Sequence, residues 1–151
     1  MNHLQITTAS PDETLALGRR FAACLTAGDV VLLSGRLGAG KTMFVQGVAE
    51  GLGIVERVTS PTFVITRFYS GGFLDLIHAD VYRLSSVGEF DDLDLQDDGA
   101  EGVVFIEWGD SVEEAVGPDY LIIHVDIDGE DRKFSFIPSG TWEQRTLDML
   151  S

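Results

Sequence analysis

The chain has 151 residues, 44% hydrophobic and 23% charged, which is a globular composition of one domain's length and excludes a disordered chain. Ten Lys and Arg face 25 Asp and Glu, a formal net charge of −15, so direct non-specific binding to a nucleic-acid backbone is disfavoured. A single cysteine, Cys24, excludes an internal disulfide, and no apolar run nears the roughly 20 residues of a membrane span.

The opening residues MNHLQITTASPDE lack the basic-then-apolar pattern of a signal peptide, so a cytoplasmic protein is the expectation. Neither repeat nor linker interrupts the chain, and one domain over 1–151 is expected. Residues 3–7 read as a short edge strand. Ser10-Pro11-Asp12-Glu13 then reads as a helix start, with Ser10 as cap, Pro11 in the first turn and Glu13 completing a capping box. Leu17, Phe21, Cys24 and Leu25 recur at helical spacing, and Gly28 is expected to close that helix.

Residues 29–34 (DVVLLS) read as a buried parallel strand. A glycine-rich loop and a helix from about Lys41 to Leu52 follow. Residues 62–69 and 73–80 read as two strands around Ser70-Gly71-Gly72, and 103–107 (VVFIE) as a second buried strand. Residues 120–127 and 132–137 form another expected pair around Asp128-Gly129. Thr141 and Gln144 are expected to cap a short terminal helix carrying Trp142, Leu147 and Leu150. The alternation predicts an α/β fold, a P-loop type of domain with a mostly parallel central sheet, flanking helices and antiparallel strand pairs.

The strongest chemical signal is Gly35-Arg36-Leu37-Gly38-Ala39-Gly40-Lys41-Thr42, which fits G-x-x-x-x-G-K-[ST] between a strand and a helix. Glycines let backbone N–H groups close on phosphate oxygens, and the helix N-terminus adds positive potential. Lys41, one of only two lysines, can reach the β- and γ-phosphates, and Thr42 can ligate Mg²⁺. The expected ligand is therefore a nucleoside triphosphate with Mg²⁺.

Such a site needs a carboxylate at the end of a neighbouring apolar strand. Glu107, closing VVFIE, has that place. Asp80 is a second candidate, to orient water or support the ion, with a surface ion pair to Arg83 as the plainer reading. His78 reads as structural rather than catalytic. The run from Glu89 to Glu101 holds seven acids and no base; it reads as a solvated loop, with docking of a basic partner as the sharper alternative. Trp108 suits either the core or an interface, and Trp142 the core.

Gly38-Ala39-Gly40-Lys41-Thr42, Ser60-Pro61-Thr62-Phe63, His78-x-Asp80-x-Tyr82-Arg83-Leu84 and Ile106-Glu107-Trp108 occur in this order. Together they closely resemble the TsaE family, also called YjeE, of bacterial P-loop ATPases. The resemblance covers nearly the whole chain. It implies a Mg²⁺-dependent ATPase in making threonylcarbamoyl-adenosine beside the anticodon of tRNA. The implied partners are TsaD, which transfers the threonylcarbamoyl group, and TsaB; ATP hydrolysis would reset that pair between turnovers. Contact with tRNA would be indirect, as the acidic composition fits.

By the same resemblance Gly38 through Thr42 contact phosphates, with Gly35, Leu37 and Met43 beside them, and Thr42 and Glu107 hold Mg²⁺. Asp80 serves hydrolysis. Ser60, Pro61, Thr62 and Phe63 form a switch-like segment, with Tyr82 and Trp108 grouped at the partner side. Arg132 lies near the nucleotide base, and Ser10 and Thr14 wall the same end. Three positions depart from the family pattern: Arg36 replaces a common acid, Met43 a frequent second Thr, and Ala79 a bulkier residue. None removes a phosphate or metal ligand. The alternative enzyme reading is a small P-loop metabolite kinase, although no arginine-rich lid is present. A nucleotide-gated binding module without useful catalysis is a third. A Ras-like GTPase is disfavoured because Asn-Lys-x-Asp is absent.

Overall fold

A computed structural model describes residues 4–36, 39–55, 58, 66–80, 102–107 and 117–145, Asp80 by its backbone alone. The described elements, in chain order, are β1 (Leu4–Thr8), α1 (Pro11–Ala22), β2 (Val30–Gly35), α2 (Lys41–Leu52), β3 (Thr66–Tyr69), β4 (Asp75–Asp80), β5 (Gly102–Glu107), β6 (Tyr120–Asp128), β7 (Asp131–Ser139) and a 3-10 helix (Gly140–Gln144). The seven strands form one sheet in the order β1-β7-β6-β2-β5-β4-β3. The four central strands β6, β2, β5 and β4 run parallel, while β1–β7, β6–β7 and β3–β4 pair antiparallel. This is the expected parallel centre with antiparallel margins, and β1 is an edge strand.

Strands β2 and β5 are buried at every position, which is why they read as unbroken apolar runs rather than alternating ones. Both helices pack on one face of the sheet. Val31, Leu33, Val103, Phe105, Leu121, Ile123, Phe134 and Phe136 meet Leu17, Phe21, Phe44, Val45 and Val48 there. Phe21 sits among aromatic rings: Phe44 at 5.6 Å, Phe136 at 5.8 Å and Trp142 stacked at 6.3 Å between centroids. Trp142 is thus a core residue. No described helix is long and apolar enough to cross a membrane.

Helix α1 begins as its sequence dictates. Glu13 N–H donates to Ser10 Oγ at 3.2 Å, and Ala9 N–H donates to the Glu13 carboxylate at 3.0 Å, a capping box whose return bond reaches one residue before the cap, with Pro11 in the first turn. Its end differs from expectation. The helix stops at Ala22 rather than near Gly28, and Cys24 and Leu25 continue in tighter turns, bonding back to Phe21 and Ala22. Gly28, at φ 90°, instead turns the chain into β2, and its N–H reaches the Gly102 carbonyl at 2.7 Å.

The terminal segment also differs. Residues 140–144 form a 3-10 turn whose N-cap is Ser139, and the Thr141 N–H bonds Asp119 Oδ1 at 2.8 Å. Leu147 and Leu150 lie outside the described residues. Arg145 anchors this segment. Its guanidinium makes two bonds to Asp29, at 2.6 and 2.8 Å, and lies 3.9 Å over the Trp142 ring. The bond to Asp29 raises the Arg145 pKa above its ordinary value. Asp29 is only 5% exposed, so removing its partner leaves a buried carboxylate without its counter-charge, held among the described residues by Thr26 alone. Arg145→Ala is expected to cost roughly 3 kcal/mol, the low end for breaking a buried pair. Arg145→Lys is expected to recover little, because an ammonium reproduces neither the fork nor the stacking. Urea unfolding of the three proteins checks both.

Candidate functional site

The parallel register sets the geometry. Leu33 of β2 is level with Glu107 of β5, and Glu107 is level with Asp80 of β4. The glycine loop leaving β2, the Glu107 carboxylate and the Asp80 position therefore share the carboxyl edge of three adjacent strands. That edge is where open α/β sheets bind ligands.

Within the loop, Gly35 (φ 145°) and Gly40 (φ 100°) hold conformations that side-chain-bearing residues rarely adopt. A Cβ on Gly35 would also lie 2.7 Å from the Val125 carbonyl oxygen of the neighbouring strand. Gly40 is the N-cap of α2; no side chain caps that helix, and no acid stands in its first turn. This leaves a helix N-terminus of the kind that receives anions. Ala39, within the loop, is fully buried. Arg36 is exposed at its start.

Lys41 is 5% exposed, and its Nζ donates to the Gly35 carbonyl at 2.8 Å. The ammonium thus lies folded back across the loop it belongs to. Glu107 is 6% exposed at the end of β5. Its Oε2 lies 2.8 Å from Nε2 of the fully buried His78. That distance is short, but its angle is not that of a hydrogen bond, and among the described residues neither imidazole nitrogen has an aligned partner. His78 is buried as a structural histidine would be, and it touches a candidate ligand as well. A hydroxyl from Thr42 and a carboxylate from Glu107 are hard oxygen donors, and with the anion-receptive α2 terminus they fit Mg²⁺ carried on phosphate.

At the other end of the loop lies a cleft of about 160 Å³ lined by Ser10, Pro11, Thr14, Gly40, Met43, Glu130 and Arg132. It is smaller than the roughly 300–1,000 Å³ of a pocket enclosing a whole drug-sized ligand, and suits one ring system of a larger one. The structure therefore brings Ser10, Thr14, Met43 and Arg132 together, although they lie up to 122 positions apart in sequence. Thr14 Oγ1 pairs with Thr8 Oγ1 at 2.7 Å, which fixes the wall. Arg132 Nη1 donates to the Asp131 carbonyl at 3.0 Å.

Pro11 and Glu130 were not foreseen as lining residues. Gly129, at φ 63°, could have located Glu130: it places the hairpin turn at 129–130, between the paired Asp128 and Asp131, rather than at 128–129. Leu37, Gly38, Ser60, Pro61, Thr62, Phe63, Tyr82 and Trp108 lie outside the described residues, as does the acidic run 89–101.

Comparison with known proteins identifies the family. The model for "Threonylcarbamoyl adenosine biosynthesis protein TsaE" matches residues 8–134. The chain belongs to the TsaE family. Every candidate site residue from Ser10 to Arg132 lies within the TsaE match. The Bacillus subtilis protein named tRNA threonylcarbamoyladenosine biosynthesis protein TsaE is 41% identical, over 100% of this chain and 96% of its own. The TsaE protein of Streptomyces coelicolor is 48% identical over 73% of this chain and 76% of its own. A crystal structure of Bacillus subtilis YdiB superposes with a TM-score of 0.78 at 36% identity, covering 95% of this chain and 90% of that one. The TsaE resemblance carried by the four sequence motifs is thus upheld along nearly the whole chain, and so is the fold it implied.

Proposed function

We propose that this TsaE-family chain binds ATP with Mg²⁺, hydrolyses it, and by doing so resets a TsaB–TsaD pair that modifies tRNA beside the anticodon. The observation that carries the nucleotide reading is the shared strand edge. It sets an uncapped helix N-terminus, a buried Lys41 and a buried Glu107 at the ends of adjacent strands. The pathway reading is supported by the family and by the names of its relatives.

In this reading the α2 amides and the loop receive the β- and γ-phosphates, and Lys41 leaves the Gly35 carbonyl for them. Its charge then offsets the charge that builds on the transferring phosphoryl group. Thr42 and Glu107 hold the ion, which when bound neutralises phosphate charge. Asp80, at the end of β4, orients the attacking water. The cleft between Ser10, Thr14, Met43 and Arg132 takes the base, with the Arg132 guanidinium available to lie against a ring face. The acidic chain leaves contact with tRNA to the partners.

The test is phosphate release from Mg-ATP by the chain alone and with TsaB and TsaD. Slow release alone and strong stimulation by the pair are expected, because a partner can complete the site and exclude water. Brisk release unchanged by the pair would reject partner activation. Phosphate appearing on an added metabolite rather than in water would replace the ATPase reading with a kinase.

A further inference from the structure

We propose that His78 is a positioning residue that orients the Glu107 carboxylate toward the Mg²⁺ site. The inference rests on the reading of Glu107 as the residue holding that ion. His78 lies on β4, level with Phe105 of β5, two residues before the Asp80–Glu107 pairing. It is fully buried, and Nε2 stands 2.8 Å from Glu107 Oε2.

An imidazole is a poor packing choice there. Its neighbour two positions back on β4, Leu76, packs in the core, and a leucine at position 78 would bury no polar atom. Among the described residues, both nitrogens of His78 instead lack an aligned hydrogen-bond partner. Among those residues, Nε2 stands closest to the Glu107 carboxylate, at 2.8 Å. With its proton on Nε2 the ring carries its donor on the nitrogen nearest Oε2, and a rotation of the ring aligns the two and leaves Oε1 for the ion. Holding one oxygen fixes the plane of the carboxyl group, so Oε1 presents its lone pairs without a search through rotamers. A group behind a metal-holding residue, outside the ion's own contacts, tunes affinity in this way.

The test uses the full chain and the variants His78→Leu, His78→Gln, His78→Asn and Glu107→Gln. A fluorescent ADP analogue is titrated with EDTA present and then across a Mg²⁺ series, and melting temperature is recorded for each protein. Glu107→Gln and His78→Leu are expected to raise the half-saturating Mg²⁺ about 10- to 100-fold while leaving Mg²⁺-free ADP affinity unchanged. His78→Gln, whose amide nitrogen can stand near the place of Nε2, is expected to recover most of the loss; His78→Asn, which is too short, is not.

A shift with Glu107→Gln but none with His78→Leu would overturn the proposal and make His78 a packing residue. No shift with Glu107→Gln would remove its premise, a separate failure of the site reading. If His78→Leu does not fold, the Gln and Asn variants decide. Recovery by Gln alone supports positioning, and equal behaviour of the two overturns it.

Discussion

Lys41→Met is expected to lower ATP turnover by about 10²- to 10³-fold, the loss seen when one preorganised donor is removed from a charge-stabilising site. The melting temperature is expected to change little. Lys41 is 5% exposed, so the methionine inherits a buried place of similar length, and the losses include the bond to the Gly35 carbonyl. The effect on chemistry is larger because no second lysine is near enough in sequence to substitute: Lys133, the other one, pairs with Asp126 and Thr7 positions across the sheet margin. Phosphate release at saturating Mg-ATP with the partner pair present, beside a thermal melt, checks both halves. Retained turnover in a folded Lys41→Met protein would reject the site.

Much of this site was legible because its parts are local. The strand, the glycines, Lys41 and the helix follow one another without a gap, and Gly53 (φ 86°) closes α2 where the apolar spacing ends. The capping bonds around Ser10 are likewise confined to the five residues from Ala9 to Glu13. The end of α1 was not legible for the opposite reason. Cys24 and Leu25 keep the apolar spacing of a helix, and no glycine or proline interrupts it before Gly28. The stop is set from outside: Asp29, held by Arg145, accepts the Thr26 N–H at 2.7 Å and draws the chain into a turn.

The same distinction separates the members of the site. Glu107 could be found at the end of an apolar run, since a run and its end are sequence features. Its contact with His78 depends on the parallel register of β4 and β5, which no local pattern specifies. Glu130 stood beside the identified Arg132, yet its place in the cleft depends on where the hairpin turns.

Gly47→Ala is expected to destabilise the chain by about 1–3 kcal/mol, although alanine is the better helix former by about 1 kcal/mol. A Cβ at Gly47 would overlap the Leu15 carbonyl oxygen and stand 3.1 Å from Gly18 Cα; one at Gly18 would overlap the Phe44 carbonyl oxygen. Gly51 continues the contact, its Cβ falling 2.6 Å from that of Ala22. These obstacles are largely backbone, so no rotamer change relieves them, and α1 and α2 must separate. For a chain of 151 residues the loss corresponds to about 2–12 °C in melting temperature. The consequence reaches the cleft, because α1 carries Thr14 and α2 follows Gly40 and carries Met43. Nucleotide affinity should therefore fall several-fold in the folded variant. The double variant Gly18→Ala with Gly47→Ala should lose less stability than the sum of the singles, since separation forced by one relieves the other. Additive losses would mean that each glycine answers a local clash, and an unchanged Gly47→Ala melt would mean that the close approach of the helices does not limit stability.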